Sequence, residues 1–230
     1  MMVLHDLERP PKAILFDMDG VLVDSEALHW RSVLHVLRRY LGHETPALDQ
    51  RVGWGDHQLW QEMIDTYGLS GTPNSLTQER GEVALQLLKD QPPSLISGAY
   101  EAISTWKQAD PTLILAVVSA SPRQQMSQSL LQYVDHQGAS LFWAIFSGIE
   151  DAVQNKPSPE PYLAAMKHFE LDPSDCWIAE DSTTGLYAGL ASAARVFPVG
   201  AHFADHEVIA QCEQPLTDLM ALLQRWRKLV

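Results

Sequence analysis

Two aspartates, Asp17 and Asp19, stand one residue apart directly after a short apolar run, and Gly20 follows them. Carboxylates held this close repel each other, and a hard divalent cation that accepts oxygen ligands would relieve the repulsion. The same Asp-x-Asp-Gly pattern also occurs in ordinary loops. These residues therefore offer either carboxylate and metal chemistry or a plain solvated turn.

The apolar run before these acids indicates how they are held. Residues 13–16 lie between Lys12 and Asp17 and are too few for a helix. They predict a strand buried on both faces, as in a parallel sheet. Asp17 would lie at the carboxyl end of this strand, which is where ligands bind in open α/β sheets. Gly20 would supply the turn that follows.

Small polar residues form a second candidate group at Ser119-Ala120-Ser121, after a strand predicted over 113–118. The first N–H groups of a helix lack intrahelical partners, so a strand-to-helix turn with a small hydroxyl can bind an anion. Ser121 could instead cap a helix that begins at Pro122. We expect both roles: Ser121 as the cap, and Ser119 with the Ala120 N–H on the anion.

A lysine and a further acidic pair complete the candidates. Lys156 begins the Pro-rich string 156–162, whose prolines lower the entropy lost when the loop is ordered. Its ammonium could neutralise Asp17 and a bound anion, although a lysine in such a loop is more often only solvated. Glu180-Asp181 follows a strand predicted over 177–179, and the pair could bind a metal. Alternatively, Asp181 or its neighbour Ser182 caps the next helix.

Composition excludes several classes of partner. The net charge of −13 and the pI near 5.0 argue against nucleic-acid binding, and a metal with a few placed cations would have to attract any anionic ligand. The two cysteines, Cys176 and Cys212, are too few for a disulfide framework. We find no signal peptide and no apolar run near the ~20 residues of a membrane span. We therefore expect a cytoplasmic protein.

The order of predicted elements gives the fold class. Helical patterns without strands occupy residues 25–94, on the apolar faces of 30–41, 59–67 and 76–88. Strands and helices then alternate, as in a doubly wound fold. Further strands are predicted at 143–146, 177–179 and 196–199, and helices begin at 99, 123, 159, 183 and 216. We predict an α/β, doubly wound parallel sheet (Rossmann-like) over 12–24 and 95–230, with an inserted helical cap domain over 25–94.

Four stretches together resemble the motifs of the haloacid dehalogenase-like hydrolases. Ala13–Glu26 resembles the first motif, Asp-x-Asp-Gly-x-Leu-x-Asp-Ser-Glu, and the strand ending in Ser119 resembles the second. The string from Lys156 resembles the third, and Glu180-Asp181-Ser182-x-x-Gly the fourth. They occur in order over residues 13–195. The family's usual Ala-Gly reads Ser-Ala-Ala at 192–194, which we expect to affect packing more than chemistry.

The resemblance implies a role for each candidate residue. Asp17 would be the nucleophile that takes a phosphoryl group, and Asp19 the general acid/base. The dehalogenase branch lacks the second aspartate, so Asp19 indicates a phosphate-handling branch. Mg²⁺ would be held by Asp17, the backbone carbonyl of Asp19 and Asp181, with Glu180 acting through water. The resemblance assigns the phosphate to three groups, namely Ser119, the Ala120 N–H and Lys156.

The helical insertion resembles the cap of the subfamily that contains beta-phosphoglucomutase, phosphoglycolate phosphatase and sugar-phosphate phosphatases. His29 matches a cap-hinge histidine that influences the acid/base in beta-phosphoglucomutase, and its alternatives are packing or solvent exposure. Residues 53–57 resemble the loop that selects the substrate. Trp54 in this loop would face the substrate or belong to the core of the cap.

These implications favour a Mg²⁺-dependent phosphatase of a small phosphorylated metabolite, such as a sugar phosphate, acting through an aspartyl-phosphate. A phosphomutase is the alternative, and a non-catalytic binding protein is disfavoured because every core motif position is filled. Asp56 stands where beta-phosphoglucomutase has an arginine, which argues against a mutase, whereas Arg51 nearby leaves it open. We expect no nucleic-acid or membrane partner. A monomer is favoured, although the sequence does not determine the oligomeric state.

Overall fold

The computed structural model describes residues 9–42, 45–46, 48, 56–200 and 205–230. The chain divides into two compact units, one formed by residues 1–24 with 94–230 and the other by residues 25–93. The first unit carries the sheet. Among the described residues, no helix has both the length and the apolar character needed to cross a membrane.

Short strands alternate with helices in the sheet-bearing unit. The strands are β1 (Ala13–Phe16), β2 (Val23–Asp24), β3 (Ser94–Leu95), β4 (Ile114–Ser119), β5 (Ala144–Ser147), β6 (Cys176–Glu180) and β7 (Arg195–Pro198). The α-helices among the described residues of both units are α1 (Glu26–Leu41), α2 (Asp56–Tyr67), α3 (Pro73–Asp90), α4 (Ala99–Ala109), α5 (Arg123–Ser129), α6 (Glu160–His168), α7 (Thr183–Ala191), α8 (His206–Ile209) and α9 (Leu219–Arg227).

Strand β1 lies at the centre of a parallel sheet of order β5-β4-β1-β6-β7. All of its residues are fully buried, as the uninterrupted apolar run predicts. Phe16 lies opposite Val117 of β4 and Ala179 of β6. The predicted doubly wound parallel fold is confirmed, and the next residue after β1, Asp17, leaves the sheet between two neighbouring strand ends.

The two faces of the sheet bury different halves of β1. Ile14 and Phe16 belong to a cluster that includes Trp106 of α4. Leu15, on the other face, belongs to a cluster with Tyr162 of α6. Because successive side chains of a strand point to opposite faces, helices are needed on both sides of the sheet. Both faces therefore hold the strand end that carries Asp17.

The helical unit has a core of its own. Helices α1 and α2 pack against α3 around apolar residues that include Val33, Trp60 and Leu76. Thr72 and Ser75 form a reciprocal capping box that starts α3. Among the described residues of this unit there is no strand, in agreement with the helical pattern of the sequence.

Three local features differ from the sequence analysis. The antiparallel pair β2–β3 was not predicted, because each strand has two residues and they lie about seventy residues apart in the chain. The short helix α8 was also missed. Helix α9 begins at Leu219 rather than Leu216, because Asp218 accepts from the Ala221 N–H and Leu216 instead bridges Val199.

Candidate active site

Four strand ends bring the candidate residues to one edge of the sheet. Asp17 follows β1 and Ser119 ends β4, while Lys156 lies on the segment that follows β5. Asp181 follows β6. These strands are adjacent and parallel, so their carboxyl ends meet at the position where open α/β sheets bind ligands.

Asp17 is held by the sheet that precedes it. Its N–H donates to the Ala179 carbonyl at 2.9 Å, which continues the β1–β6 ladder by one residue. The residue is only 7% exposed. A carboxylate this buried requires a partner of opposite charge, since an unpaired buried charge is strongly unfavourable.

Lys156 is that partner. Its Nζ donates to Asp17 Oδ1 at 2.6 Å, to Glu180 Oε1 at 2.6 Å and to the Val118 carbonyl at 2.8 Å. All three ammonium hydrogens are therefore used within the protein. Burial alone would lower the pKa of Lys156, but the carboxylates of Asp17 and Glu180 outweigh it, so its pKa lies above the ordinary value. Lys156 is a fixed cation of the site.

Glu180 is fully buried and its oxygens are occupied by donors. Oε1 accepts from the Tyr162 hydroxyl at 2.7 Å as well as from Lys156, and Oε2 accepts from the Ser182 hydroxyl at 3.1 Å. A Cβ on Gly185 would lie 1.9 Å from Oε1, so glycine is required there. Glu180 thus orients Lys156, and both of its oxygens are already hydrogen-bonded within the protein.

Three acids come together at this edge. One carboxylate oxygen from each of Asp17, Glu180 and Asp181 lies within 4.8 Å of the others, among the described residues. The turn after β1 permits this approach, because Gly20 has φ +79° and a Cβ there would lie 1.8 Å from Asp181 Oδ2. A glycine is thus needed at position 20 both for the backbone conformation and for the space that Asp181 fills.

The acids outnumber the cation beside them. Burial raises the pKa of Asp17 well above its ordinary value, the Lys156 ammonium opposes this rise, and the neighbouring carboxylates add to it. Burial also raises the pKa of Asp181 to about 7, with contributions from the charges of Glu180 and Asp19. One lysine does not neutralise the cluster, and a further cation would stabilise it.

The donor set fits the predicted Mg²⁺. Hard divalent cations take oxygen ligands, and Mg²⁺ in particular uses one or two carboxylates with water and phosphate. Asp17 and Asp181 offer such oxygens, since the bond from Lys156 leaves Oδ1 of Asp17 a further lone pair for a metal. Glu180, with both oxygens engaged by donors, fits the expected contact through water better than a direct bond.

Asp19 lies beside the cluster and contacts Ser121. The Ser121 hydroxyl donates to Asp19 Oδ2 at 3.2 Å. The prediction that Ser121 caps the following helix was wrong: α5 begins at Arg123, its N-cap position is Pro122, and no side chain caps it. The Arg123 N–H instead donates to the Glu150 carboxylate.

Ser119 is buried and its hydroxyl oxygen accepts from the Ser121 N–H at 3.1 Å. This bond leaves the hydroxyl hydrogen to donate to an anion. Ala120 is exposed, and its carbonyl accepts from Asn155 Nδ2 at 3.0 Å. Asn155 Oδ1 accepts from the Lys156 N–H at 2.8 Å, so this side chain joins the lysine segment to the predicted phosphate-binding turn.

The fourth motif allows both of its predicted roles at once. Ser182 caps α7 by accepting from the Gly185 N–H at 3.0 Å. Asp181 is therefore not needed as the cap and belongs to the acidic cluster. Within this motif, Ser182 therefore has the structural role of helix cap, and Asp181 is available to the acidic cluster.

The sequence analysis also names candidate residues in the helical unit. His29 lies on α1, half-buried, with its ring edge-on to Trp30 at 5.0 Å between centroids. Trp54 lies outside the described residues, as does Arg51. Asp56 begins α2 and pairs with Arg80 of α3 at 2.8 Å. The roles expected for His29 and Trp54 stay predictions.

Sequence reasoning missed three contributors. Tyr162 was part of the third motif but received no role of its own. Asn155 directly precedes the motif. Its side chain bonds the Lys156 N–H beside it and the Ala120 carbonyl, which lies thirty-five residues earlier in the chain. Ser121 was interpreted as a cap. The signal available for Tyr162 was its place in the same motif as Lys156, near the start of the helix that follows the lysine.

Comparison with known proteins gives the family. The family model described as haloacid dehalogenase-like hydrolase matches residues 14–199. Hexitol phosphatase B from Escherichia coli (strain K12) is 30% identical over 225 residues, which cover 91% of this chain and 94% of that protein. The bifunctional riboflavin kinase/FMN phosphatase of Arabidopsis thaliana is 25% identical, over 98% of this chain but only 58% of that protein.

A solved structure agrees with the fold. CbbY from Rhodobacter sphaeroides, in complex with phosphate, is similar with a TM-score of 0.74 at 22% identity, over 92% of this chain and 96% of that one. The sheet order, the four motifs in sequence and the match over residues 14–199 agree with one another. The resemblance found in the sequence is confirmed, and the chain belongs to the haloacid dehalogenase-like hydrolases.

Proposed function

We propose that this hydrolase is a Mg²⁺-dependent phosphatase that releases phosphate from a small phosphorylated metabolite through an aspartyl-phosphate on Asp17. The single observation that carries the proposal is the setting of Asp17. Its buried carboxylate ends the central strand, bonds Lys156 at 2.6 Å and shares an acidic cluster with Asp181. A nucleophile, a fixed cation and metal-competent oxygens thus meet at one strand end.

The nucleophile is activated by its fixed position rather than by an adjacent base. Lys156 holds Oδ1 of Asp17, and the carboxylate keeps a second oxygen for attack on phosphorus. This attack forms the aspartyl-phosphate and breaks the bond to the substrate oxygen, so one slow hydrolysis becomes two faster steps. Because Lys156 already donates all three hydrogens, it contributes positive charge to the phosphoryl group more than a new hydrogen bond.

Asp19 supplies the proton transfers. As an acid it protonates the leaving alcohol, and as a base it removes a proton from the water that attacks the aspartyl-phosphate. Ser119 and the Ala120 N–H bind the remaining phosphoryl oxygens at the end of β4. When bound by Asp17, Asp181 and the Asp19 carbonyl, Mg²⁺ supplies charge neutralisation for the phosphoryl oxygens.

The relatives support a small phosphorylated substrate. Hexitol phosphatase B and the FMN phosphatase enzyme are named for the removal of phosphate from small molecules. The net charge of −13 also disfavours a nucleic-acid substrate. We propose a sugar or sugar-alcohol phosphate as the substrate class. The cap role of residues 25–94, the monomeric state and the cytoplasmic location stay predictions of the sequence.

The test is a screen of purified chain against phosphorylated metabolites with Mg²⁺. The panel contains sorbitol 6-phosphate, fructose 1-phosphate, glucose 6-phosphate, glucose 1-phosphate, glycerol 3-phosphate, FMN and the aryl ester p-nitrophenyl phosphate. We expect inorganic phosphate from one or more members, lost with EDTA and recovered with excess Mg²⁺. Absence of phosphate release from the whole panel would contradict the proposal.

Product analysis in the same screen separates hydrolysis from phosphoryl transfer. A mutase would convert glucose 1-phosphate into glucose 6-phosphate when a trace of glucose 1,6-bisphosphate is present. We expect phosphate release without such an isomer. Isomer formation well above phosphate release would replace the phosphatase with the mutase.

A further inference from the structure

The Ser121 hydroxyl is held in place by buried groups on both sides of its backbone. Its N–H donates to Ser119 Oγ at 3.1 Å, and its carbonyl accepts from Ser147 Oγ at 2.8 Å. Ser119 and Ser147 are at most 1% exposed. The hydroxyl that contacts Asp19 at 3.2 Å therefore projects from a backbone with little freedom to move.

Helix α5 does not use this hydroxyl. A serine just before a helix would ordinarily accept from the first N–H groups, but α5 has no side-chain cap and its first N–H donates to Glu150. The Ser121 hydroxyl donates to Asp19 across the turn, between residues 102 positions apart in the chain. Helix capping therefore does not explain why the Ser121 hydroxyl points towards Asp19.

The loop that carries Asp19 is fixed at the backbone as well. The Gly20 N–H donates to the Val23 carbonyl at 2.8 Å, and the Leu22 N–H donates to the Met18 carbonyl at 2.9 Å. These bonds fix the backbone position of Asp19, but its carboxylate can still rotate about two side-chain torsions. A hydrogen-bond donor is needed to fix which oxygen faces the substrate.

From these contacts we infer that Ser121 is a positioning residue for Asp19, an inference that rests on the phosphatase function proposed above. By donating to Oδ2, Ser121 directs the other oxygen, Oδ1, to hold the proton that passes to the leaving alcohol. When the bond between phosphorus and the alcohol oxygen breaks, its electron pair stays on that oxygen and takes this proton. Ser121 itself gains and loses no proton in the step.

The role predicts a dependence on the leaving group. An alkyl alkoxide is a poor leaving group and needs a proton from Asp19, whereas p-nitrophenolate leaves readily without one. The ratio kcat/KM reports the steps up to departure of the alcohol, before the shared hydrolysis of the aspartyl-phosphate. A disturbed Asp19 therefore lowers kcat/KM for alkyl phosphates much more than for p-nitrophenyl phosphate.

The experiment compares Ser121→Ala with wild type on p-nitrophenyl phosphate and on the alkyl phosphate of the panel that is hydrolysed fastest. We expect kcat/KM for the alkyl ester to fall roughly 10- to 100-fold, the range for one hydrogen bond to a charged group, and a much smaller loss for the aryl ester. Ser121→Thr keeps the hydroxyl and should recover most of the alkyl rate. Ser121→Cys, with a weaker donor, provides the same comparison if the alanine variant does not fold.

Two further variants calibrate this readout. Asp19→Asn removes the acid itself, and it should show the same preference for the aryl ester in a stronger form. Ser127→Ala removes an exposed hydroxyl of α5 that donates to the Arg123 carbonyl within the same helix, and it should match wild type on both esters.

The outcomes separate this inference from the proposed function. A selective loss for the alkyl ester that threonine repairs supports the positioning role. An equal loss on both esters, or no loss, would overturn the role of Ser121 and leave the phosphatase intact. If the wild-type chain released phosphate from no ester, both the phosphatase function and the positioning role of Ser121 would be contradicted.

Discussion

At the scale of single residues, Lys156 is the group on which the buried charges depend. Its ammonium bonds Asp17 and Glu180, and its side chain is only 4% exposed. Removing one member of a buried ion pair is strongly destabilising, because the remaining charge has neither water nor a partner. The proposed active site therefore also has a structural requirement for this lysine.

We expect Lys156→Met to abolish phosphate release and to lower the free energy of unfolding by about 3–5 kcal/mol, since the two carboxylates lose their cation. Urea denaturation and the phosphate assay measure the two effects. Lys167→Met is the matched control, because Lys167 is exposed on the nearby helix α6, and its stability should change by less than about 0.5 kcal/mol. A stable, active Lys156→Met variant would contradict this account of the ion pair.

Residue types and spacing indicated Asp17, Glu180 and Asp181 because each lies at a strand end marked by an apolar run, whereas Lys156 was indicated by its Pro-rich string. The partners that hold them were harder to predict. Tyr162 bonds Glu180, and Ser121 bonds Asp19 over a long separation in sequence. Such contacts depend on which strands are neighbours in the sheet. The strand order cannot be predicted from the residues of any single segment.

At the scale of elements, the turn between β1 and β2 leaves space for the side chain of Asp181, which follows β6. Gly20 has φ +79°, and Asp181 Oδ2 occupies the space a Cβ would need. The turn thus joins the first motif to the fourth. A side chain at position 20 would displace one of the acids that we assign to the metal.

We expect Gly20→Ala to lose most activity and Mg²⁺ binding, because the new Cβ would lie 1.8 Å from Asp181 Oδ2. Gly138→Ala is the matched control: Gly138 has a similar φ of +81° and nothing within 4 Å of a Cβ. Both variants carry the left-handed backbone strain of about 1–2 kcal/mol, but only Gly20→Ala should lose activity. Equal activities in the two variants would show that the contact with Asp181 is unimportant.

Elements with long periodic patterns were predicted closely, whereas the short ones were not. Helix α1 and strand β4 lie within a few residues of their predicted positions. The pair β2–β3 and helix α8 escaped prediction, because two to four residues carry no measurable period. Their positions depend on tertiary contacts, such as the bond from the Ile96 N–H to the Leu22 carbonyl.

At the scale of the whole molecule, the protein has a net charge of −13 and collects several acids at one edge of its sheet. Repulsion within this cluster should weaken the fold when no metal is bound. A cation that binds the folded chain but not the unfolded chain stabilises it by mass action.

We therefore expect MgCl₂ to raise the melting temperature relative to EDTA, with a stabilisation of about 2.7 kcal/mol at one hundred times the dissociation constant. NaCl of equal ionic strength is the control for general screening. Asp181→Asn should lose the response to Mg²⁺ and should match or exceed wild-type stability in EDTA, because one repelling charge is gone. Differential scanning fluorimetry measures all of these, and a full Mg²⁺ response in Asp181→Asn would contradict the assignment.

The central claim is that Asp17 is the nucleophile of a phosphatase, and replacing its attacking oxygen tests this claim most directly. The measurement is the initial rate of phosphate release by Asp17→Asn with saturating Mg²⁺, beside wild type and the exposed control Asp172→Asn. Circular dichroism confirms that the compared chains are folded. The account predicts a loss of roughly a thousandfold or more for Asp17→Asn and none for Asp172→Asn, because an amide is a poor nucleophile and lacks the charge that binds the metal. Turnover by folded Asp17→Asn at a rate near wild type would contradict it.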